Sequence, residues 1–190
     1  MTDYVTVVSG VPRSGTSMMM RMLQAGGMEL VTDGRRTADE HNPYGYFEDE
    51  RVLRLARDAS WVAEARGKAI KVIYRLLEHL PPGLEYRVLY MQRDYLEVFD
   101  SQQSMLLARG EPAAEQEKQS IISALGRDEG RLLRWVSEQP NFSVLGVTYA
   151  RAAESAAEIA RFLERDLDLA AMAAAFDPCL RRNFRRSSPT

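Results

Sequence analysis

The segment that most constrains this chain is Ser9-Gly10-Val11-Pro12-Arg13-Ser14-Gly15-Thr16-Ser17. Gly10 and Gly15 stand at the spacing of G-x-x-x-x-G-K-[ST], behind the apolar residues Val5, Val7 and Val8 and ahead of a helical pattern at 17–24. That is the strand–loop–helix context a phosphate-binding loop requires. Glycines permit a tight turn in which successive N–H groups point inward, and the helix N-terminus adds partial positive charge. Together they make an anion seat. Thr16, however, occupies the place where nucleotide triphosphatases keep the lysine that reaches the β- and γ-phosphates. The nearest fixed charge is Arg13. Such a loop is expected to bind phosphate without hydrolysing a triphosphate; a glycine turn with no ligand is the bland alternative.

The rest of the chain reads as α/β. Runs rich in Val, Ile, Leu and Tyr at 4–9, 69–74, 86–92 and 142–148 are separated by helical patterns at 17–25, 48–66, 95–108, 112–138 and 151–165, with a short alanine-rich helix at 168–175. This alternation predicts a three-layer P-loop fold: a central, mostly parallel sheet of about four to five strands flanked by helices. Leu53, Leu55, Ala56, Ala59 and Val62 form the expected core stripe of the second helix, and Ala152, Ala156, Ile159, Ala160 and Leu163 that of the fifth. At 190 residues the expectation is one domain over 1–180 followed by a basic tail at 181–190. A net charge of −2 argues against a generic nucleic-acid binder, which would carry a basic footprint. A single cysteine, Cys179, excludes an intrachain disulfide framework. No apolar run reaches membrane-span length, and a cytoplasmic protein is the default expectation.

The loop Pro12-Arg13-Ser14-Gly15-Thr16-Ser17 resembles the phosphosulfate loop of the sulfotransferase superfamily, whose donor is 3′-phosphoadenosine-5′-phosphosulfate (PAPS) and whose product is 3′-phosphoadenosine-5′-phosphate (PAP). Arg93, after the third strand, and Ser101, on the following helix, match in type and spacing the family pair that holds the 3′-phosphate. The chemistry suits it: a guanidinium forks two phosphate oxygens and a hydroxyl adds a neutral donor; taken alone, Arg93 could instead form a surface ion pair with Asp94 or Glu97. Tyr95 departs from the proline common at that point. Asn42-Pro43-Tyr44-Gly45-Tyr46-Phe47-Glu48 is similar to the Asn-Pro-x-Gly-Tyr-Phe-Glu segment of bacterial members, Val147-Thr148-Tyr149 to their late strand, and Asp177-Pro178-Cys179-Leu180-Arg181-Arg182-Asn183 to their C-terminal segment.

The resemblance implies transfer of a sulfuryl group to a hydroxyl or amine, with no required metal. Arg13, Ser14, Gly15, Thr16 and Ser17 would hold the 5′-phosphosulfate, Arg93 and Ser101 the 3′-phosphate, and Arg181 and Arg182 would form a basic flap over the adenosine phosphates, with a solvated tail as their alternative. Lys71 lies where the family places a lysine near the sulfuryl group; it either stabilises the departing charge or sits at a strand edge with a solvated head. Glu48 is the leading base, with a first-turn glutamate facing the helix dipole as its alternative. His41 is the second base candidate, since imidazole titrates near neutrality. The acceptor, whether a small molecule, a glycan or a lipid, is not legible, although 31–47 and 109–118 are expected to shape its pocket. Two rival readings remain: a kinase-like phosphotransferase using ATP and Mg²⁺, and a non-catalytic nucleotide-binding or interaction protein of the same fold. Oligomeric state is unassigned.

Overall fold

Four strands assemble side by side in one parallel sheet of order β2-β1-β3-β4. They are β1 (Tyr4–Gly10), β2 (Ala69–Lys71), β3 (Glu85–Gln92) and β4 (Phe142–Thr148). The computed structural model describes residues 3–39, 42–108, 110–111 and 117–178, so His41, Cys179, Arg181, Arg182 and the rest of the 181–190 segment lie outside the described residues. The helices are α1 (Thr16–Ala25), α2 (Tyr95–Ala108), α3 (Lys118–Ser137), α4 (Ala156–Phe162) and α5 (Leu169–Ala175). This is the α/β architecture of a P-loop fold, a parallel sheet covered by helices.

Residue alternation along the strands divides the core in two. Val5 and Val7 of β1 and Tyr86, Val88 and Tyr90 of β3 enter one apolar cluster with Leu132 and Val136 of α3. Tyr4 and Val8, with Leu89 and Met91, point the other way into a cluster with the methionines of α1 and with Ile159 of α4. Period-2 alternation in a sheet covered on both faces buries both sets, and all seven residues of β1 are buried. The expected stripe of the fifth helix holds, since Ala152, Ala156, Ile159 and Leu163 are all buried. The helix itself is shorter: a 3-10 turn at Tyr149–Arg151 precedes α4.

The segment 48–66 departs from its expectation. It forms two 3-10 helices, Glu50–Arg54 and Ser60–Ala65, and no α-helix. The Asp58 carboxylate accepts from both the amide (3.0 Å) and the hydroxyl (2.7 Å) of Ser60, an Asx turn that breaks the run. In 3-10 geometry residues i and i+3 eclipse, so Val52 with Leu55 and Val62 with Ala65 face inward. Leu53 of the expected stripe is 66% exposed. Likewise β2 ends at Lys71 where strand was expected to 74. After the Val72 amide bonds the Val8 carbonyl (3.0 Å), the chain leaves the sheet and turns into a 3-10 helix at Tyr74–His79.

The chain order creates a crevice. From β1 the chain passes to β2 on one side and then to β3 on the other, so the sheet switches direction between β1 and β3. Ligands bind beyond the carboxyl ends of the strands at such a point. The loop after β1 and Arg93 after β3 meet there. Among the described residues no helix is long and apolar enough to cross a membrane.

The 3-10 phasing makes a direct prediction. Leu55→Ala, at a buried position, should lower unfolding free energy by about 2–5 kcal/mol. Leu53→Ala should stay within about 0.5 kcal/mol of the parent. Urea denaturation of both variants checks it, and a costly Leu53→Ala would restore the helical stripe.

Candidate active site

The loop between β1 and α1 is held by its backbone. Gly10 (φ 148°) and Gly15 (φ 105°) take conformations that L side chains rarely adopt, and Arg13 itself is left-handed at φ 72°. A Cβ at Gly10 would lie 2.7 Å from the Met91 carbonyl oxygen, and one at Gly15 only 2.3 Å from the Tyr149 ring. The loop is therefore moulded onto β3 on one side and onto the residue that follows β4 on the other. The first turn of α1 carries no acidic residue, which leaves its positive end open to an anion.

Around this loop lies a cavity of about 260 Å³, bounded by cationic side chains from four segments: Arg13, Arg36, Lys71 and Arg93. The Arg13 Nε donates to Ser101 Oγ at 3.0 Å, so Ser101 reaches the loop across the crevice. Burial, reinforced by the nearby Arg93 and Arg36 charges, pulls the Arg13 guanidinium below its ordinary value. Arg93 is fixed on three sides. Its Nε pairs with Glu97 at 3.0 Å, its Nη1 donates to the Arg13 carbonyl at 3.2 Å, and its guanidinium sits 4.7 Å from the centre of the Tyr149 ring. Thr16 and Ser17 line the cavity. Ser14 is fully buried, with its hydroxyl unpartnered.

Lys71 stands at the carboxyl end of β2 with only 11% of its side chain exposed. Its Nζ donates to Ser17 Oγ (3.1 Å), the Tyr46 carbonyl (3.0 Å) and Glu48 Oε1 (2.9 Å). It is no solvated edge lysine. Burial lowers its affinity for a proton, and Glu48 opposes that. Glu48 is gripped from its other side by Arg36 at 3.1 Å. Burial alone would raise the Glu48 carboxyl, but Lys71 and Arg36 outweigh it and hold the group below the usual glutamate range. The Arg36 guanidinium in turn stacks 3.4 Å from the Tyr46 ring centre, and the Tyr46 hydroxyl donates to Asp39 at 2.6 Å.

Arg13, Thr16, Ser17, Glu48, Lys71 and Arg93, all singled out from the sequence, thus share one cavity, and Ser101 touches it through Arg13. Ser101 bonds Arg13 in this structure, whereas the sequence reading paired it with Arg93. Sequence reasoning did not single out Gln102, Met105 or Tyr149, reached Arg36 and Tyr46 only as members of the segment 31–47, and considered Glu97 only as a surface ion-pair partner of Arg93, a pairing the structure contains at 3.0 Å. Glu97 carried a legible signal, since it lies one helical turn beyond Arg93 at i+4 spacing. Tyr149 carried another, directly after a strand's carboxyl end. Arg36 sits in an irregular loop with no pattern around it. Of the two segments expected to shape an acceptor pocket, 31–47 supplies Arg36, Asn42 and Tyr46 to the cavity wall; most of 109–118 lies outside the described residues.

A solved structure of similar fold is the sulfotransferase domain of the olefin synthase from Synechococcus PCC 7002. It superposes with a TM-score of 0.51 over 93% of this chain and 78% of that one, at 15% identity. The fold is sulfotransferase-like. No protein-family model and no curated protein sequence matches the chain.

The Glu48 environment can be measured directly. In a carboxyl-carbon NMR titration Glu48 should show its midpoint below 4.5, the ordinary value, and Lys71→Met should move the midpoint upward. Because the folded-state value lies below the unfolded one, this pair stabilises the fold above the unfolded pKa. That contribution is lost as pH falls through the folded value. An unchanged midpoint in Lys71→Met would remove Lys71 as the cause.

Proposed function

We propose that the chain is a sulfotransferase that moves a sulfuryl group from PAPS to a hydroxyl or amine of an acceptor. The observation that carries this reading is Lys71. The phosphate loop lacks its own lysine at Thr16, and a buried lysine from the neighbouring strand is delivered to the same place, bonded to Ser17 at 3.1 Å. A cation so placed serves a group transferred from the loop-bound phosphate without the triphosphate geometry of a nucleotide hydrolase. The sulfotransferase-like fold and the loop Pro12–Ser17 support the same choice.

In this reading Arg13 and the N–H groups of residues 14–17 bind the 5′-phosphosulfate, and Arg93 with Ser101 binds the 3′-phosphate. Arg181 and Arg182, outside the described residues, are assigned to the adenosine phosphates on the sequence resemblance alone. The acceptor oxygen attacks sulfur, the bond between sulfur and the bridging phosphate oxygen breaks, and PAP leaves with the electron pair. Lys71 neutralises the charge that develops on that bridging oxygen. The acceptor proton passes to Glu48, with His41 as the alternative base. Held ionised by two cations, Glu48 is always ready to receive a proton but is a weak base. That suits a loose transition state in which little proton transfer precedes bond cleavage.

Two measurements test this. PAP should bind without metal, and the paired variant Arg93→Ala/Glu97→Ala, which avoids leaving Glu97 buried without a counter-charge, should lose about 1.5–3 kcal/mol for PAP and far less for 5′-AMP. Equal losses for the two ligands in calorimetry would sink the 3′-phosphate assignment. Glu48→Gln should keep PAP affinity and lower turnover by ~10²–10⁴. Sulfuryl exchange between PAP and a phenyl sulfate offers an assay, and near-normal turnover would transfer the base role to His41.

A further inference from the structure

Behind the Arg93 turn, away from the cavity, lies a cluster that the reaction scheme does not use. Glu129 of α3 is buried at 7% exposure. Its Oε1 accepts from the Tyr90 hydroxyl at 2.8 Å and its Oε2 from the Tyr95 hydroxyl. Tyr90 belongs to β3 and Tyr95 opens α2, so one carboxylate ties together the two chain segments on either side of Arg93. Gly126, one turn earlier on α3, lies against the Tyr95 ring, where a Cβ would make ordinary van der Waals contact at 3.4 Å.

We propose that Glu129 is a positioning residue for Arg93, clamping the β3–α2 turn through Tyr90 and Tyr95 so that the guanidinium meets the donor's 3′-phosphate in one fixed orientation. The inference rests on the reading of Arg93 given above. Three features support it. First, among the described residues Glu129 makes no ion pair; its recorded partners are two neutral hydroxyls. Burying a carboxylate on neutral donors costs stability compared with packing an apolar side chain, so the cluster is better explained by geometry than by stability. Second, both donors keep their protons. Burial and the Glu129 contact push the Tyr95 hydroxyl up to about 12 and raise Tyr90 further. Third, Arg93 tolerates little displacement. Its contacts to Glu97, the Arg13 carbonyl and the Tyr149 ring come from three different directions, and a shift of the turn would break them together.

The test is the ratio of 5′-AMP to PAP dissociation constants, because these ligands differ only in the 3′-phosphate. It is read by calorimetry alongside melting temperature. The wild-type protein should prefer PAP by about tenfold or more. Glu129→Ala and Tyr90→Phe/Tyr95→Phe should each lose about tenfold of that preference, with 5′-AMP affinity nearly unchanged. Glu129→Gln still accepts one hydroxyl and should retain most of it. A purely structural role would lower melting temperature, or weaken both ligands equally, and leave the ratio intact; that result overturns the proposal. Should Glu129→Ala not fold, the single variant Tyr95→Phe carries the same comparison. A wild-type protein with no preference for PAP would overturn the assignment of Arg93, and this proposal with it. A preference retained in the variants would overturn this proposal alone.

Discussion

The approach of the Tyr149 ring to Gly15 ties the site together. No side chain fits at position 15, because a Cβ would lie 2.3 Å from a Tyr149 ring carbon, so the loop can lie only against a residue supplied by the end of β4. The same ring takes the Arg93 guanidinium on its face at 4.7 Å. Three strand ends are thereby locked into one unit: the loop after β1, the arginine after β3 and the tyrosine after β4. The left-handed Arg13, a sparsely populated conformation for a non-glycine residue, is maintained inside this unit, where its carbonyl accepts from Arg93 and its Nε donates to Ser101.

The fourth strand end joins by charge. Arg13, Arg36, Lys71 and Arg93 converge on one cavity, and such an array repels itself and loses hydration. Each cation is accordingly held by an acceptor: Ser101 for Arg13, Glu48 for Lys71 and Arg36, Glu97 for Arg93. The acceptors for Arg13 and Arg93 approach through Nε. They orient each guanidinium within the cavity. The polar groups that line the cavity are thus already oriented by their neighbours within the protein.

How much of this was legible follows from the range of the interactions involved. The loop, its flanking strand and helix, and the spacing of Arg93 and Ser101 are local patterns, and the parallel sheet follows from alternating strand and helix signals. The 48–66 segment was misread because its apolar residues fit a helical stripe about as well as two i, i+3 pairs. The competing Asx turn at Asp58–Ser60 decided the outcome. Glu129 was not legible as a support residue because its partners lie 39 and 34 residues away, and the position of Tyr149 after a strand end gave no sign of its contacts with Gly15 and Arg93. The Glu129 carboxylate meets Tyr90 and Tyr95 only after α3 has packed beside the sheet.

The two walls of the cavity are built differently, and this bears on which can change. The wall that carries the phosphate-loop pattern rests on strand ends and on α1 and α2, all backed by the buried clusters. The facing wall, described at residues 31–39 and 42–49, has little regular structure. It is held by side chains: Arg36 stacked on Tyr46, Tyr46 bonded to Asp39, Arg21 stacked 3.3 Å from the Tyr44 ring centre, and the Tyr44 hydroxyl on Asp177 at 3.1 Å. Segments with few buried apolar contacts open at lower free energy than the core, and they tolerate substitution because they bear little of the packing. Glu48 joins the two walls, since its carboxylate bonds Lys71 on the strand side and Arg36 on the other. Exchanging residues in 31–39 and 42–47 can therefore reshape this face of the cavity while leaving the loop after β1 intact, provided the Arg36–Glu48–Lys71 chain survives.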